Sequence, residues 1–321
     1  MKVGILGGGG CFALNFAKHL HRQGIDHFGI GRSHKAPAFW QIHHDYRYTK
    51  AHLVTEMTIV LKVLDIERPD VIVNFAAQGE GAASFADNAP DFFETNCVAL
   101  SRLVCELRKR DWLRQFVQIG SSEVYGSVDH PAKESDPCWP GSPYGLSKAA
   151  FDQYLMLMWK TWKFPAVVVR PSNAYVEGQQ LHRIIPKTLI AAMSGKPLEL
   201  HGGGKAEKSY LYAGDLSRAL VDIIEAEAFG EIFNVGPDEP VTVREVVEAC
   251  CAVVGADFDK IVKVVPDRTG QDSRYWLDCT KVKNLGWRET TGLFNGLQLM
   301  YLWVKNHPEL LNEDSTYRHR V

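Results

Sequence analysis

A chain of 321 residues can bury a full hydrophobic core, as one large domain or as two fused ones. Its apolar share of 45% and charged share of 23% are those of an ordinary water-soluble globular protein. A formal net charge of −2 provides no basic surface for nucleic acid or an anionic membrane, and no apolar run approaches a membrane span.

In chain order, Lys2 to Leu6 reads as a short strand that enters a glycine-rich turn at once, with no signal-peptide pattern, as expected of a cytoplasmic chain. Gly7-Gly8-Gly9-Gly10-Cys11-Phe12-Ala13 follows, and then Leu14, Phe16, Ala17 and Leu20 recur at helical spacing. Gly7, Gly10 and Ala13 fit G-x-x-G-x-x-[GA] between a strand and a helix. That arrangement lets backbone N–H groups, here around Gly7, Gly10, Cys11 and Phe12, approach a dinucleotide pyrophosphate. The next strand, Asp26 to Ile30, ends in Gly31-Arg32-Ser33 rather than in an acidic residue that would hold a ribose 2′-hydroxyl. Gly31 and Arg32 leave room and charge for a 2′-phosphate, which favours NADP over NAD.

His43-His44-Asp45 has no partner cluster nearby and reads as an exposed loop, so no metal site is expected. The seven cysteines lack metal-type spacing and read as buried reduced thiols. Asp70 to Ala77 is a further buried strand whose tip, Ala76, Ala77 and Gln78, should border the cofactor. Phe92 to Arg110 reads as one amphipathic helix, with Asn96 facing the nucleotide.

Phe116 to Ile119 is an apolar run ending in small hydroxyl residues, the pattern of a buried parallel strand whose carboxyl end opens into a site. Ser121, Ser122 and Glu123 supply hydroxyls and a carboxylate at that tip. Ser142 can cap a helix, Pro143 suits its first position, and Tyr144 and Lys148 then share one face. A phenol near a fixed ammonium has its pKa lowered, so it can take a proton from an alcohol near neutral pH.

Ala166 to Arg170 is another apolar strand, and the alternation up to this point predicts an α/β fold: a doubly wound, Rossmann-type parallel sheet. Residues 1–170 are expected to bind the cofactor. Residues 171–321 form a smaller mixed α/β lobe, with some exchange of chain between the two. Helices are expected near 214–228 and 242–254, the second opened by a Thr242-x-x-Glu245 capping box, and the polar tail from Asn312 should be loosely held.

Together these motifs resemble the extended short-chain dehydrogenase/reductase family, and within it the nucleotide-sugar dehydratases and epimerases. The amino-terminal half carries Gly7/Gly10/Ala13, Asn74-Phe75-Ala76-Ala77, Glu94-Thr95-Asn96, and Tyr144 with Lys148. The carboxy-terminal half carries Arg170-Pro171-Ser172-Asn173-Ala174-Tyr175, Gln179, Ile185-Pro186, Phe233-Asn234-Val235-Gly236 and Asp267-Arg268-x-Gly270-x-Asp272-x-Arg274-Tyr275. These are similar to the sugar-nucleotide lobe of hexose 4,6-dehydratases. Ser121-Ser122-Glu123-Val124-Tyr125-Gly126 resembles the dehydratase strand tip, whereas 4-epimerases generally lack an acid at the Glu123 position.

The resemblance implies a 4,6-dehydratase acting on a nucleoside-diphosphate hexose with tightly bound NADP or NAD, Pro171 lining the cofactor. It implies that Asn173, Arg183, Lys208, Asn234, Arg268 and Arg274 bind the substrate. It also implies a homodimer formed through a four-helix bundle of the 92–110 and 144–162 segments. Leu155, Met156, Met158, Trp159 and Trp162 are more apolar residues than one buried face would use. Ser122 stands where deoxythymidine-diphosphate-glucose dehydratases carry Asp; the guanosine-diphosphate-mannose enzymes also have Ser there. Lys208 replaces an Arg, Gln271 a His, and Val176-Glu177 the usual Gly-Pro. A 4-epimerase or uronate decarboxylase is the neighbouring alternative; a non-catalytic sensor would be expected to have lost Tyr144, Lys148 or Glu123.

Overall fold

The computed structural model describes residues 1–33, 45–79, 82–85, 88–267, 272–317 and 319. His43, His44, Arg268, Gly270 and Gln271 lie outside them.

Six strands in chain order, β1 (Lys2–Leu6), β2 (Asp26–Gly31), β3 (Arg47–Lys50), β4 (Val71–Asn74), β5 (Gln115–Ile119) and β6 (Ala166–Pro171), join the later strand Ile232–Val235 in one sheet. Spatially they run β3, β2, β1, β4, β5, β6 and Ile232–Val235, all parallel. Strands β4 and β6 are buried throughout, which is why they read as unbroken Val/Ile-rich runs rather than as alternating ones. The order reverses between β1 and β4. The crevice beyond the carboxyl ends at that point is where open α/β sheets bind ligands.

On one face of the sheet, α1 (Cys11–Arg22) packs beside the helix Ala213–Glu225 over a core that includes Val3, Ile5, Val73 and Val117. On the other face lie α2 (Met57–Glu67), α4 (Leu100–Leu107) and α5 (Pro143–Trp162), burying Leu64, Leu103, Phe151 and Leu155. A third core sits among the helices Ile184–Ser194, Val243–Val254 and Leu293–Lys305. The capping box at the second of these is made: Glu245 N–H donates to Thr242 Oγ1 at 3.1 Å, and Thr242 N–H to Glu245 Oε2 at 2.7 Å.

The structure departs from the sequence reading in several places. The strand expected over 70–77 is four residues long, because the chain turns after Asn74, whose Oδ1 accepts the Ala76 N–H at 3.1 Å. The single helix expected over 92–110 is three segments: α3 (Ala89–Phe93), a π-turn at Glu94–Ala99, and α4. The wider turn contains Asn96, fully buried, with its amide closed onto the β4 tip: Oδ1 accepts Gln78 N–H at 2.7 Å and Nδ2 donates to Gln78 O at 2.9 Å. The chain after residue 171 also returns to the sheet, since Ile232–Val235 pairs with β6 and Ala213–Glu225 covers α1.

The tail is anchored rather than loose. His319 Nε2 lies 2.8 Å from Asp91 Oδ2, its ring stacks on Phe92, and Tyr317 packs edge-on against His182. All seven cysteines are free thiols, but only Cys11, Cys250, Cys251 and Cys279 are buried as expected; Cys97 and Cys138 are half-buried and Cys105 is exposed.

Candidate active site

Two strand tips and two helix starts converge at the carboxyl edge of the sheet. At β1, Gly7 adopts φ +72°, and a Cβ there would lie 2.6 Å from the Ala76 backbone nitrogen. Only glycine lets the turn close onto the β4 tip. Gly10 caps α1 without any side-chain bond to the helix N–H groups, and the first turn carries no acidic residue. This open, glycine-lined helix start, twelve residues long, fits a dinucleotide pyrophosphate.

Cys11 and Phe12 contribute backbone there. Burial pushes the Cys11 thiol up to about 12, so it stays neutral packing; the positive charge of Arg183 is close enough to act against that shift. Arg183, expected on the substrate side, therefore lies near the start of α1. Arg32, at the end of β2, extends Nη1 to Gln78 Oε1 at 3.4 Å. Ala76 and Ala77 are half-buried beside Gln78, and Pro171 closes β6.

At β5, Ser121 Oγ accepts the Glu123 N–H at 3.2 Å and starts a 3₁₀ turn, Ser122–Tyr125. Ser121 and Ser122 are buried, while Glu123 is half-buried. Opposite them, Ser142 Oγ caps α5 by accepting the Gly145 N–H at 3.0 Å, and Pro143 takes the first helical position. A Cβ at Gly145 would lie 2.8 Å from the Glu123 carbonyl oxygen, so glycine is what allows the first turn of α5 to abut the Glu123 turn. Tyr144 stands on that turn, and its N–H donates to Ser84 Oγ at 3.1 Å. One turn on, Lys148 is buried, with Nζ donating to Ile119 O at 2.6 Å. Burial pushes its pKa down to about 8, against the pull of the Asp152 carboxylate.

The carboxy-terminal lobe supplies the facing wall. Asn173 Oδ1 is buried and has no protein partner among the described residues, leaving an acceptor for a bound molecule. Lys208 Nζ donates to Asp272 O at 2.9 Å and sits 3.3 Å from the Tyr275 ring centre. Burial pushes Lys208 down to about 8, opposed by Glu123 and Asp272. Tyr275 is raised by burial and by the charges of Glu123, Asp272 and Tyr144. Glu123, Tyr144, Lys208 and Tyr275 thus share one electrostatic pocket.

Two expected substrate contacts are engaged elsewhere. Asn234 is fully buried, with Nδ2 donating to Ala132 O at 2.8 Å and Oδ1 accepting from Tyr125 OH at 2.8 Å; it braces the loop after β5. Arg274 forms a two-point pair with Glu207, including Nη2 to Oε1 at 2.9 Å, that joins two short parallel strands. Among the described residues no cluster of three or more His, Cys, Asp or Glu could hold a metal ion.

A family model described as "NAD dependent epimerase/dehydratase family" matches residues 3–236. The chain belongs to that family. It is 31% identical, over 83% of its length, to the trifunctional UDP-glucose 4,6-dehydratase/UDP-4-keto-6-deoxy-D-glucose 3,5-epimerase/UDP-4-keto-L-rhamnose-reductase of Arabidopsis thaliana, and it spans 40% of that longer protein. Among solved structures of the family, the dTDP-glucose 4,6-dehydratase of Bacillus anthracis in complex with NAD is 27% identical, with a TM-score of 0.86 over 96% of this chain and 98% of that one. The UDP-glucose 4-epimerase of Thermus thermophilus, also with NAD, is 25% identical, with a TM-score of 0.87 over 95% and 99%. The seven-stranded parallel sheet of this chain matches the Rossmann-type fold of these NAD-bound neighbours.

Proposed function

We propose that the chain is a nucleotide-sugar 4,6-dehydratase that takes a nucleoside-diphosphate hexose to its 4-keto-6-deoxy product, using bound NAD or NADP. The observation that carries this reading is the carboxylate of Glu123 on a turn packed against the Tyr144 helix start. NAD or NADP held at the glycine turn would supply the acceptor for the C4 hydride and its source at C6. Tyr144, with the Lys148 ammonium behind it, removes the C4 hydroxyl proton while Ser121 orients that hydroxyl. The resulting ketone acidifies C5–H, and Glu123 takes that proton. Ser122 offers no acid, so the C6 hydroxyl leaves with a proton from Glu123 or an ordered water.

Gly7, Gly10, Cys11, Phe12, Ala76, Ala77, Gln78 and Pro171 frame the cofactor; Asn96, expected to face the nucleotide, is fully buried and instead holds Gln78 in place. Asn173 (through its amide N–H), Lys208 and Arg268 hold the diphosphate, with Arg183 nearby. Lys208 offers the phosphate oxygens a point charge without Arg's planar fork, and the buried Asn173 Oδ1 accepts from a donor on the bound molecule. In this reading residues 1–170 are the cofactor domain and 171–321 the sugar-nucleotide lobe, and the chain works in the cytoplasm. No described helix is long and apolar enough to cross a membrane.

A second reading is a 4-epimerase or uronate decarboxylase, which the equally close fold of the Thermus thermophilus epimerase supports. Each also begins with Tyr144 and Lys148. Product analysis separates the three: a 4-keto-6-deoxy sugar, an inverted C4, or carbon dioxide.

Arg32 favours NADP. Arg32→Ala is expected to weaken NADP binding by on the order of 1.5–3 kcal/mol, the value of a charge-assisted contact, and NAD binding far less. Equal losses in calorimetry would remove the ground for preferring NADP.

A homodimer through α4 and α5 accounts for the outer face of α5. Leu155 and Met158 turn inward, but Leu146, Leu157 and Trp162 are exposed and Met156 and Trp159 are half-buried. Light scattering is expected to give twice the 36.0 kDa chain mass; a monomer at working concentration would contradict it.

A further inference from the structure

Tyr144, Lys148 and Asp152 follow one another at four-residue intervals on α5 and so share one face. Asp152 is fully buried and Lys148 nearly so. Asp152 Oδ2 accepts from Arg170 Nε on β6 at 2.9 Å, whereas its Oδ1 is buried with no hydrogen-bond partner among the described residues. Arg170 continues the chain: Nη1 donates to Tyr125 OH at 2.8 Å, and Tyr125 OH donates to Asn234. Tyr125 closes the same 3₁₀ turn that carries Glu123. A buried ion pair is seldom retained for stability alone, since an apolar pair of equal volume does as well.

We propose that Asp152 is a positioning residue for the catalytic pair: its buried carboxylate supplies the counter-charge that keeps Lys148 an ammonium, and Arg170 fixes it there. Lys148 spends one N–H on the Ile119 carbonyl and has no carboxylate within ion-pair distance among the described residues. Without a nearby anion, desolvation would strip its proton and leave Tyr144 beside a neutral amine. The groups facing Asp152 are Lys148 on its own helix, Arg170 on β6, and Cys138 in the loop after β5, whose thiol burial holds neutral. The charge acting on Lys148 is that of Asp152, and Tyr144 lies one turn before Lys148 on α5. Burial pushes the Asp152 carboxyl up, and the Arg170 and Lys148 charges act against that shift. The Arg170 Nε contact to Oδ2 at 2.9 Å marks the group as a carboxylate. The role rests on the Tyr144/Lys148 chemistry proposed above, and its test needs no substrate.

The lysines would be labelled at ¹³Cε and titrated by NMR in the full chain, with Lys148 assigned by its loss in Lys148→Met. Asp152→Asn is expected to lower the Lys148 pKa by about one unit or more, the shift that loss of an opposite charge at ~4–6 Å produces. Asp152→Glu should leave it within about half a unit. Where a nucleotide hexose is turned over, the alkaline limb of kcat should move with it. If Asp152→Asn fails to fold, Asp152→Asn/Arg170→Gln removes both members of the ion pair, so no Arg170 charge is left unpaired, and should shift Lys148 in the same direction by less. An unmoved Lys148 titration in whichever of these folds, even with a lowered Tm, would overturn the proposal. Failure of the dehydratase reading would show separately, in product analysis.

Discussion

Glu123→Gln is expected to separate oxidation from elimination. The substitution keeps size and hydrogen-bonding capacity but removes the base for the C5 proton, and a catalytic base contributes roughly 10²–10⁴-fold in rate. Oxidation at C4 needs only Tyr144 and Lys148, which the change leaves in place. On meeting the right nucleotide hexose, the variant should therefore develop reduced-nicotinamide absorbance that decays abnormally slowly. Native protein in D₂O should wash deuterium into C5, and the variant should largely lose that exchange. The Ser121 bond to the Glu123 N–H involves backbone and survives the change, so the 3₁₀ turn keeps its shape. Native rates of C5 exchange and turnover in Glu123→Gln would make the carboxylate merely structural.

Tyr144→Phe is expected to fail one step earlier. The Tyr144 ring sits edge-on to buried Phe92 at 6.3 Å between centroids, and Phe preserves that packing, so the fold should be untouched. With no hydroxyl to take the C4 proton, even the first absorbance change should be slowed by roughly 10²–10⁴-fold. The pH dependence follows from Lys148. Its pKa lies at about 8, below that of an exposed lysine, because burial disfavours the ammonium. Activity should therefore fall as pH rises through about 8, where the ammonium is lost, and should not fall there in Lys148→Met, whose residual activity is already without it. Stopped-flow absorbance across pH 6–10 (roughly, spanning the lysine range) reads both. An unchanged first phase in Tyr144→Phe would remove it from the chemistry.

Local pattern carried the features that local chemistry decides. The Ser142 cap, Pro143, the glycine turn and the Thr242/Glu245 box are each set within a few residues, and each stands in the structure where its spacing put it. Buried strands β4 to β6 announced themselves as apolar runs. Features made by contacts distant in sequence were not legible. Asn234 lies in a motif that resembles a substrate contact, yet Tyr125, 109 positions away, takes its side chain. Arg274 is taken by Glu207, 67 positions back, and His319 by Asp91, 228 positions back. The π-turn around Asn96 has no amphipathic signature, because the pattern of α3 and α4 reads smoothly through it. Asp152 could have been found, since it falls four residues after Lys148 on an already assigned helix face.

The most direct test of the account is to incubate the purified chain with deoxythymidine-, uridine- and guanosine-diphosphate hexoses in D₂O and to identify the product by NMR and mass spectrometry. The account predicts a 4-keto-6-deoxy nucleotide sugar that has lost one water, carries solvent deuterium at C5, and bears at C6 the hydrogen that began at C4. A product that keeps its C6 hydroxyl and shows only an inverted C4, or one that has released carbon dioxide, would contradict it.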